Sequence, residues 1–460
     1  MRLRVRAMDT NMPMDDWTRA ESRVERAHEL YEQGRWPEAA AELRAAIDVN
    51  PYNAAWHFNL GLTLEAMEDH ARACEAFKGA LQLDPGDVET LNCLGVNLTR
   101  QGKYEKALKY FGRIEQTDPT YEPAYCNRII TYTEMERHDQ AELMFYLARQ
   151  IKDECPVCFY NIGNSFYARG QYDQAIRCWQ ETLRVDARYP QAHCRIAEAC
   201  WAKGDLVSAR KHYQAELNQG EEDLDTLLDF GELLMEMGDL AGAEEAFRRA
   251  LDWSPDSAGA HFCMGDLAMR RNRLAAAEEE FRLVLRMDGD YSGAHAKLAW
   301  LMLRRGYVQT AAKHVIAELK LSGDDPGMLH ELARILLEAH MVRHANTILR
   351  RLVRLAPQDP YAQHDLAVSF FKLHRLDEGI RHCRKALKLK PEYPLALYNL
   401  ALAHLKLGQV PRARRYVARA LTIAPRDENI RRLCRRLGMQ GFWAKLRSSL
   451  ASRLRRGMRR

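Results

Sequence analysis

The sequence has no long hydrophobic run and none of the short motifs that mark common catalytic sites. It contains no stretch of about 18 apolar residues, the length needed to span a membrane. Basic residues near its start are not followed by an apolar segment, so no secretory signal peptide is predicted. Neither a glycine-rich phosphate loop after a strand nor a GxSxG elbow occurs. We therefore expect a cytoplasmic protein that is not an enzyme and that binds no cofactor and no metal.

The cysteines lack the spacing of a disulfide framework. There are eleven, an odd number, scattered through the chain, which favours a reducing compartment. Cys155 and Cys158 form one CxxC. Two thiols at this spacing can chelate zinc or form a redox pair, but no second CxxC and no nearby histidine completes a ligand set. The sequence therefore favours a structural role for this pair.

Net positive charge is absent from most of the chain and concentrated at one end. The formal net charge is +5, yet residues 428–460 contain eleven Lys or Arg and a single Glu. The remainder of the chain is therefore mildly acidic. This distribution indicates that an anionic partner would be met at the C-terminal end.

A period of 34 residues runs through most of the chain. One column, which begins at Ala27, is Gly or Ala in eleven of twelve steps, and a second, from Ala39 to Ala413, is small at every step. Four residues after the second column, a third is mostly bulky, with Leu43, Phe77, Phe111, Phe145, Trp179, Tyr213, Phe247 and Phe281 among its members. Small residues opposite bulky ones predict two closely packed helices.

Glycine and proline recur at the expected ends of these helices. A glycine lies between the two small columns at Gly34, Gly102, Gly170, Gly204, Gly238, Gly306 and Gly408. A proline closes the repeat at Pro51, Pro85, Pro119, Pro255, Pro357, Pro391 and Pro425. Glycine tolerates the positive φ that ends a helix, and proline cannot continue one. Each unit is therefore predicted to be helix, turn, helix and stop.

These columns resemble the tetratricopeptide repeat, which pairs a small residue in its first helix with alanine and an aromatic in its second. The resemblance implies an all-α fold, a right-handed α-solenoid superhelix of about twelve 34-residue helix-turn-helix repeats over residues 20–427. Outside it we predict an N-terminal extension (1–19), a capping helix (428–441) and a basic amphipathic tail (442–460). The fourth unit departs from the pattern at Arg128 and Ile129, where other units have Leu and Gly.

In this family the first helices line a concave groove, so the resemblance implies a non-enzymatic scaffold or adaptor whose groove binds a protein or an extended peptide. One first-helix column contains Asn59, Asn127, Asn161 and Asn399, similar to the asparagine ladder of the superhelix of O-GlcNAc transferase. An asparagine amide both donates and accepts hydrogen bonds, so it can pair with a peptide backbone. The alternative is that these side chains only face water.

The densest group of candidate binding residues lies in units five and six. It comprises Tyr160, Asn161, Asn164, Tyr167, Arg195, Glu198 and Trp201. Tyr, Trp and Arg dominate measured interface energies. The alternative is that the aromatics pack between neighbouring hairpins.

Charge also divides the predicted groove along the chain. Its middle contains Glu198, Asp229, Glu232, Glu236 and Asp266. Its end contains Lys297, Arg304, Arg334, Lys372 and Lys406. Such a gradient can fix the direction of a bound peptide, and a solvated face is the alternative.

The C-terminal tail has its own pattern, with apolar residues at every fourth position from Phe442 and basic residues between them. The side chains predicted to contact an anionic surface are Trp443, Lys445, Arg447, Arg453, Arg455 and Arg456. A basic amphipathic helix suits an anionic membrane surface or nucleic acid. The second hypothesis is therefore a peripheral membrane or RNA-associated adaptor, and the alternative is a tail that folds back on the acidic body.

Overall fold

The computed structural model of the chain describes residues 14–219, 223–439 and 441. These residues form 25 α-helices and no β-strand. In chain order the helices are α1 (Met14–Glu32), α2 (Trp36–Val49), α3 (Ala54–Ala66), α4 (His70–Leu83), α5 (Val88–Arg100), α6 (Tyr104–Thr117), α7 (Glu122–Glu134), α8 (His138–Ile151), α9 (Pro156–Ala168), α10 (Tyr172–Val185), α11 (Ala192–Ala202), α12 (Leu206–Leu217), α13 (Leu224–Met237), α14 (Leu240–Trp253), α15 (Ala258–Arg270), α16 (Leu274–Met287), α17 (Ala294–Arg304), α18 (Val308–Leu321), α19 (Pro326–Glu338), α20 (Val342–Leu355), α21 (Pro360–Lys372), α22 (Leu376–Leu389), α23 (Pro394–Lys406), α24 (Val410–Ile423) and α25 (Glu428–Arg436).

The helices fall into two compact units that divide after Asp239. In the first unit, α1 to α12 form six consecutive helical hairpins, and α13 follows them. In the second unit α14 comes first, α15 to α24 pair in order as hairpins, and α25 packs on α24. Several first helices also contact the first helix of the next hairpin, such as α5 with α7, α7 with α9 and α19 with α21. The predicted all-α fold of helix-turn-helix repeats is confirmed.

Left-handed residues end the first helices, as the glycine column predicts. Gly102 has a φ of 71° and Gly306 a φ of 82°. Where the repeat has no glycine, another residue adopts the same conformation, such as Glu68 at 59° and Asn272 at 58°. A side chain in this region costs about 1 kcal/mol or more relative to glycine, so the turn is imposed by the packing of the two helices that it joins.

Small residues on the first helix let bulky residues on the second helix reach the interior of the hairpin. A Cβ atom added to Gly163 would lie 2.5 Å from Nε1 of Trp179, and one added to Gly265 would lie 2.7 Å from Cε1 of Phe281. Both rings are fully buried. These contacts are too close for any side chain at either glycine, so the ring and the bare backbone fill one volume together.

Both ends of the repeat array are partly described. The first helix begins at Met14, inside the segment 1–19 that the sequence assigns to an extension. At the other end, α25 buries Ile430, Leu433 and Leu437, whose neighbours include residues of α24. No helix among residues 14–219 and 223–439 is long and apolar enough to cross a membrane. The predicted tail, residues 442–460, lies outside the described residues, and so do its candidate contacts.

Candidate functional site

Polar side chains of neighbouring first helices bond to each other at a fixed spacing of 35 residues. Nδ2 of Asn127 donates a hydrogen bond to Oδ1 of Asn92, 2.9 Å away. Nδ2 of Asn399 lies 2.9 Å from Nε2 of His364. These asparagine amides therefore join one repeat to the preceding one, a role that the sequence analysis did not assign to them.

The other two asparagines of that column are buried. Asn59 is only 1% exposed and Asn161 is 7% exposed. The prediction that Asn59 lines an open groove is therefore wrong, because its side chain is enclosed within the first unit. Nδ2 of Asn161 and Oδ1 of Asn164 are buried without a hydrogen-bond partner among the described residues, which leaves their desolvation uncompensated.

The structure brings the remaining predicted binding residues together on α9, α11 and α13. Nε of Arg195 donates to the hydroxyl oxygen of Tyr160 at 3.4 Å, and its Nη1 lies 3.0 Å from a carboxylate oxygen of Glu198. One repeat on, Nε1 of Trp201 donates to Oε2 of Glu236 at 2.6 Å. We call this set of half-buried and exposed side chains, together with Tyr167, Asp229 and Glu232, the acidic aromatic patch.

Two aromatic side chains of the patch also pack against their own scaffold. The ring centroid of Tyr160 lies 5.0 Å from that of Tyr189, and the ring centroid of Tyr167 lies 5.9 Å from that of Trp179. Aromatic pairs at these distances stabilise their surroundings beyond the area that they bury. Both contacts lie within the hairpin of α9 and α10 or the linker that follows it, so packing against their own scaffold is part of the role of these aromatics.

Carboxyl groups are concentrated in the acidic aromatic patch. Burial, followed by repulsion from Glu198 and Glu232, raises the pKa of Asp229 to about 6. The patch contains four carboxylates, and its one cation is Arg195, which is already bonded to Glu198. Glu232 is exposed. The patch therefore has a local excess of carboxyl groups over cations.

In the second unit, polar side chains at the equivalent positions of the first helices α19, α21 and α23 are linked by hydrogen bonds. Oδ2 of Asp365 lies 2.8 Å from Nε2 of His330, and its Oδ1 lies 3.0 Å from Nδ1 of His364. Burial alone would raise the pKa of Asp365, but the two histidine hydrogen bonds lower that pKa to about 2. The hydrogen bond between His330 and Asp365 raises the pKa of His330. The carboxyl group of Asp365 is therefore hydrogen-bonded within the protein.

Part of the predicted basic stretch is also satisfied internally. Nζ of Lys297 lies 2.9 Å from a carboxylate oxygen of Asp266, and Nζ of Lys372 donates to the carbonyl oxygen of Leu337 at 3.0 Å. These two basic residues of the predicted gradient are therefore already paired within the protein.

The CxxC does not stand alone in the structure. Cys126 forms a disulfide with Cys158, and the other nine cysteines are free. Ligand atoms of Glu122, Cys126, Cys155 and Cys158 all lie within 4.8 Å of one another. The sequence analysis considered only a second CxxC or a histidine as further ligands and missed Glu122 and Cys126, which the structure places beside the CxxC. The 34-residue period could have shown this, because it places the start of α7 beside the start of α9.

Known proteins share this repeat. The family models described as "Tetratricopeptide repeat" match residues 24–88, 160–223 and 330–394 in one case and residues 234–301 and 370–437 in the other. The chain is 27% identical over 161 residues to Peroxisome biogenesis protein 5 of Arabidopsis thaliana. The matched region covers 34% of this chain and 21% of that protein. It is 25% identical over 170 residues to the Peroxisomal targeting signal receptor of Saccharomyces cerevisiae, which covers 34% of this chain and 27% of that protein.

The chain spans about a quarter or less of the length of those two relatives. Among solved structures it is similar to the APC/C hetero-tetramer Cut9-Hcn1, with a TM-score of 0.45 and 13% identity over 91% of this chain and 96% of that chain. The family models together match more than half of the chain. The chain belongs to the tetratricopeptide repeat family.

Proposed function

We propose that this protein is a non-enzymatic scaffold or adaptor, and that its acidic aromatic patch binds an extended segment of a partner protein that carries basic side chains. Membership of the tetratricopeptide repeat family supports a binding role. The name of the yeast relative, a targeting signal receptor, is consistent with recognition of a peptide rather than with catalysis.

The clustering of Glu198, Asp229 and Glu232 near Trp201, which Glu236 orients, is the observation that carries the proposal, and the raised pKa of Asp229 supports it. A carboxyl group whose pKa is about 6 is ionised at pH 7 at an energetic cost, because burial and then the neighbouring carboxylates oppose the charge. A lysine or arginine of a ligand would remove that cost when it pairs with Asp229. Binding energy would thus come from the relief of repulsion already present in the free protein.

The aromatic members of the patch suit the same ligand. Trp201 offers a large rigid surface on α11, and its indole is oriented by the hydrogen bond to Glu236. A cation above an indole ring gains about 0.5–2 kcal/mol, depending on its desolvation. Basic side chains can therefore use both the carboxylates and the indole, whereas an acidic segment would be repelled by the carboxylates.

Peptide selection on the purified full-length chain tests the proposal. A displayed library of random peptides should yield binders enriched in Lys and Arg, whose affinity is then measured by fluorescence anisotropy. Trp201→Ala should weaken the binding of a selected peptide by about 30-fold, the loss typical of an interface hot spot. Glu232→Gln should weaken it less and reduce its dependence on salt concentration.

Tyr146→Ala is the matched control, because Tyr146 is an aromatic residue of the same unit, 57% exposed, on the second helix α8. It should bind the selected peptide as the unchanged protein does. Circular dichroism confirms that each variant is folded. The proposal fails if the library yields no binder, or if Trp201→Ala and Glu232→Gln bind the selected peptides with unchanged affinity.

A further inference from the structure

Two adjacent first helices bring four metal-ligating side chains to one point in the first unit. Glu122 and Cys126 lie one turn apart on α7, so their side chains share a face. Cys155 is the N-cap residue of α9, and Cys158 lies in the first turn of that helix. Helices α7 and α9 contact each other directly. The cluster therefore joins the fourth repeat to the fifth.

The distances between the ligand atoms fit a tetrahedral ion. A zinc–sulfur bond of about 2.3 Å requires sulfur atoms about 3.8 Å apart around a tetrahedral centre. Sγ of Cys126 lies 3.8 Å from Sγ of Cys155. Oε1 of Glu122 lies 3.0 Å from Sγ of Cys126 and 3.4 Å from Sγ of Cys158. An ion at the centre requires the sulfur atoms of Cys126 and Cys158, which form a disulfide, to move apart.

The burial and polarity of the cluster also suit a structural metal site. Cys126 and Cys155 are each 3% exposed, Cys158 is 1% exposed, and Glu122 is half-buried. The backbone N–H of Cys158 donates to Sγ of Cys155 at 3.3 Å. That hydrogen bond and the partial positive charge at the start of α9 would stabilise thiolates bound to a cation.

The disulfide between Cys126 and Cys158 and a bound ion exclude each other, because both use the same two sulfur atoms. The Cα atoms of the pair are 5.3 Å apart, a separation that a shared tetrahedral ion also permits. A thiol reductant would convert the disulfide into two thiols while two of its own thiols become a disulfide. The cluster then has three thiols and one carboxyl group available to a metal.

We propose that Glu122, Cys126, Cys155 and Cys158 bind one Zn²⁺ ion when Cys126 and Cys158 are reduced. On binding, the three thiols release their protons to solvent and the four side chains fill a tetrahedral coordination sphere. Thiolate ligands select Zn²⁺ over Mg²⁺ and Ca²⁺, which prefer oxygen. The site does not depend on the proposed peptide binding, although Cys155 and Cys158 begin the helix that carries Tyr160.

Cobalt and zinc binding to the full-length chain tests this site. Metal-free protein reduced with a phosphine should bind one equivalent of Co²⁺ with the absorption bands of tetrahedral thiolate coordination. Added Zn²⁺ should displace the Co²⁺ and remove those bands. Protein in which the Cys126–Cys158 disulfide is intact should bind neither ion.

Cys155→Ser is the decisive variant, because it removes a metal ligand and leaves both cysteines of the disulfide in place. Loss of an outer-shell partner weakens metal affinity by about 10- to 100-fold, so loss of a ligand should weaken it by about 100-fold or more. Glu122→Gln should weaken it less and alter the cobalt spectrum.

Cys178→Ser is the control, since Cys178 lies on α10 outside the cluster. It should bind both ions as the unchanged protein does. Circular dichroism shows whether each variant is folded. The proposal is overturned if the folded, reduced protein gives no tetrahedral cobalt spectrum, or if Cys155→Ser binds Zn²⁺ as tightly as the unchanged protein.

Discussion

Asp229 and Asp365 occupy the same position of the repeat, one in the first unit and one in the second, yet their environments are opposite. Asp365 accepts hydrogen bonds from His330 and His364, and its pKa falls to about 2. Asp229 is partly buried and lies near other carboxyl groups, and these two effects raise its pKa to about 6. The same residue type at the same place thus lies beside histidines in one unit and among carboxyl groups in the other.

The residue 35 positions earlier accounts for part of this difference. For Asp365 that residue is His330, whose ring faces the carboxylate. For Asp229 it is Cys194, a buried residue whose sulfur lies 3.1 Å from the hydroxyl oxygen of Thr226. A cysteine supplies no positive charge. The 35-residue spacing that pairs Asp365 with His330 in the second unit therefore gives Asp229 no cationic partner from Cys194.

Removing each carboxylate should give the largest contrast. Asp365→Asn should lower the free energy of unfolding by about 3 kcal/mol, because two buried histidine contacts lose their anionic partner. Asp229→Asn should raise it by about 1 kcal/mol, because it relieves repulsion. Urea unfolding followed by circular dichroism measures both changes. Equal effects of the two substitutions would show that the two environments do not differ.

Acid and neutral pH should affect the two aspartates in opposite directions. The folded-state pKa of Asp365 is about 2, below its usual 3.8, so its contribution of about 2 kcal/mol is present above pH 4 and is lost as pH falls towards 2. The folded-state pKa of Asp229 is about 6, so stability should decrease as pH rises from 4 to 6. Unfolding measured across this range in both asparagine variants assigns each slope.

The affinity for a basic peptide should change with the ionisation of Asp229 and should not change with that of Asp365. A basic peptide that binds the acidic aromatic patch should bind about tenfold more weakly at pH 5 than at pH 7, because only about a tenth of the Asp229 carboxyl groups remain ionised. Fluorescence anisotropy at both values measures the ratio. Asp229→Asn should remove most of this dependence, and pH-independent binding by the unchanged protein would exclude Asp229 from the site.

The smallest expected effect concerns the neighbours of Asp229. Glu232→Gln removes one exposed negative charge and should lower the pKa of Asp229 by about half a pH unit. Carbon-13 NMR titration of labelled aspartate carboxyl groups measures the change. An unaltered pKa would leave burial, Glu198 and Asp225 as its causes, and Glu198→Gln would then test the contribution of Glu198.

The periodic columns predict the helices and their turns because each depends on residues within one hairpin. The contact of Gly163 with Trp179, for example, follows from a small and a bulky residue at fixed spacing. The site was harder to predict because it depends on contacts between repeats. Burial of Asn59 is set by how neighbouring helices rotate, and the proximity of Glu122 to the CxxC appears only when two repeats are stacked.

The charge contrast was also beyond the sequence pattern. The acidic residues Asp229, Glu232 and Glu236 indicate a charge gradient along the groove. The sequence alone does not distinguish that gradient from the alternative, a solvated face. Solvation depends on how deeply each carboxyl group is enclosed, and that depth differs between Asp229 and its exposed neighbour Glu232.

The shared volume of glycine and aromatic ring within one hairpin limits how repeats of this protein can be recombined. Trp179 needs the bare backbone of Gly163, whereas Tyr213 is accommodated beside Ala197, 16 residues before it, as Gly163 is before Trp179. A chimera joined in the turn between two helices would set the ring of Trp179 against the methyl group of an alanine such as Ala197, or would leave a void where Tyr213 faces a glycine. Exchanges that keep each hairpin whole preserve its interior volume, so the hairpin, rather than the single helix, is the smallest interchangeable part.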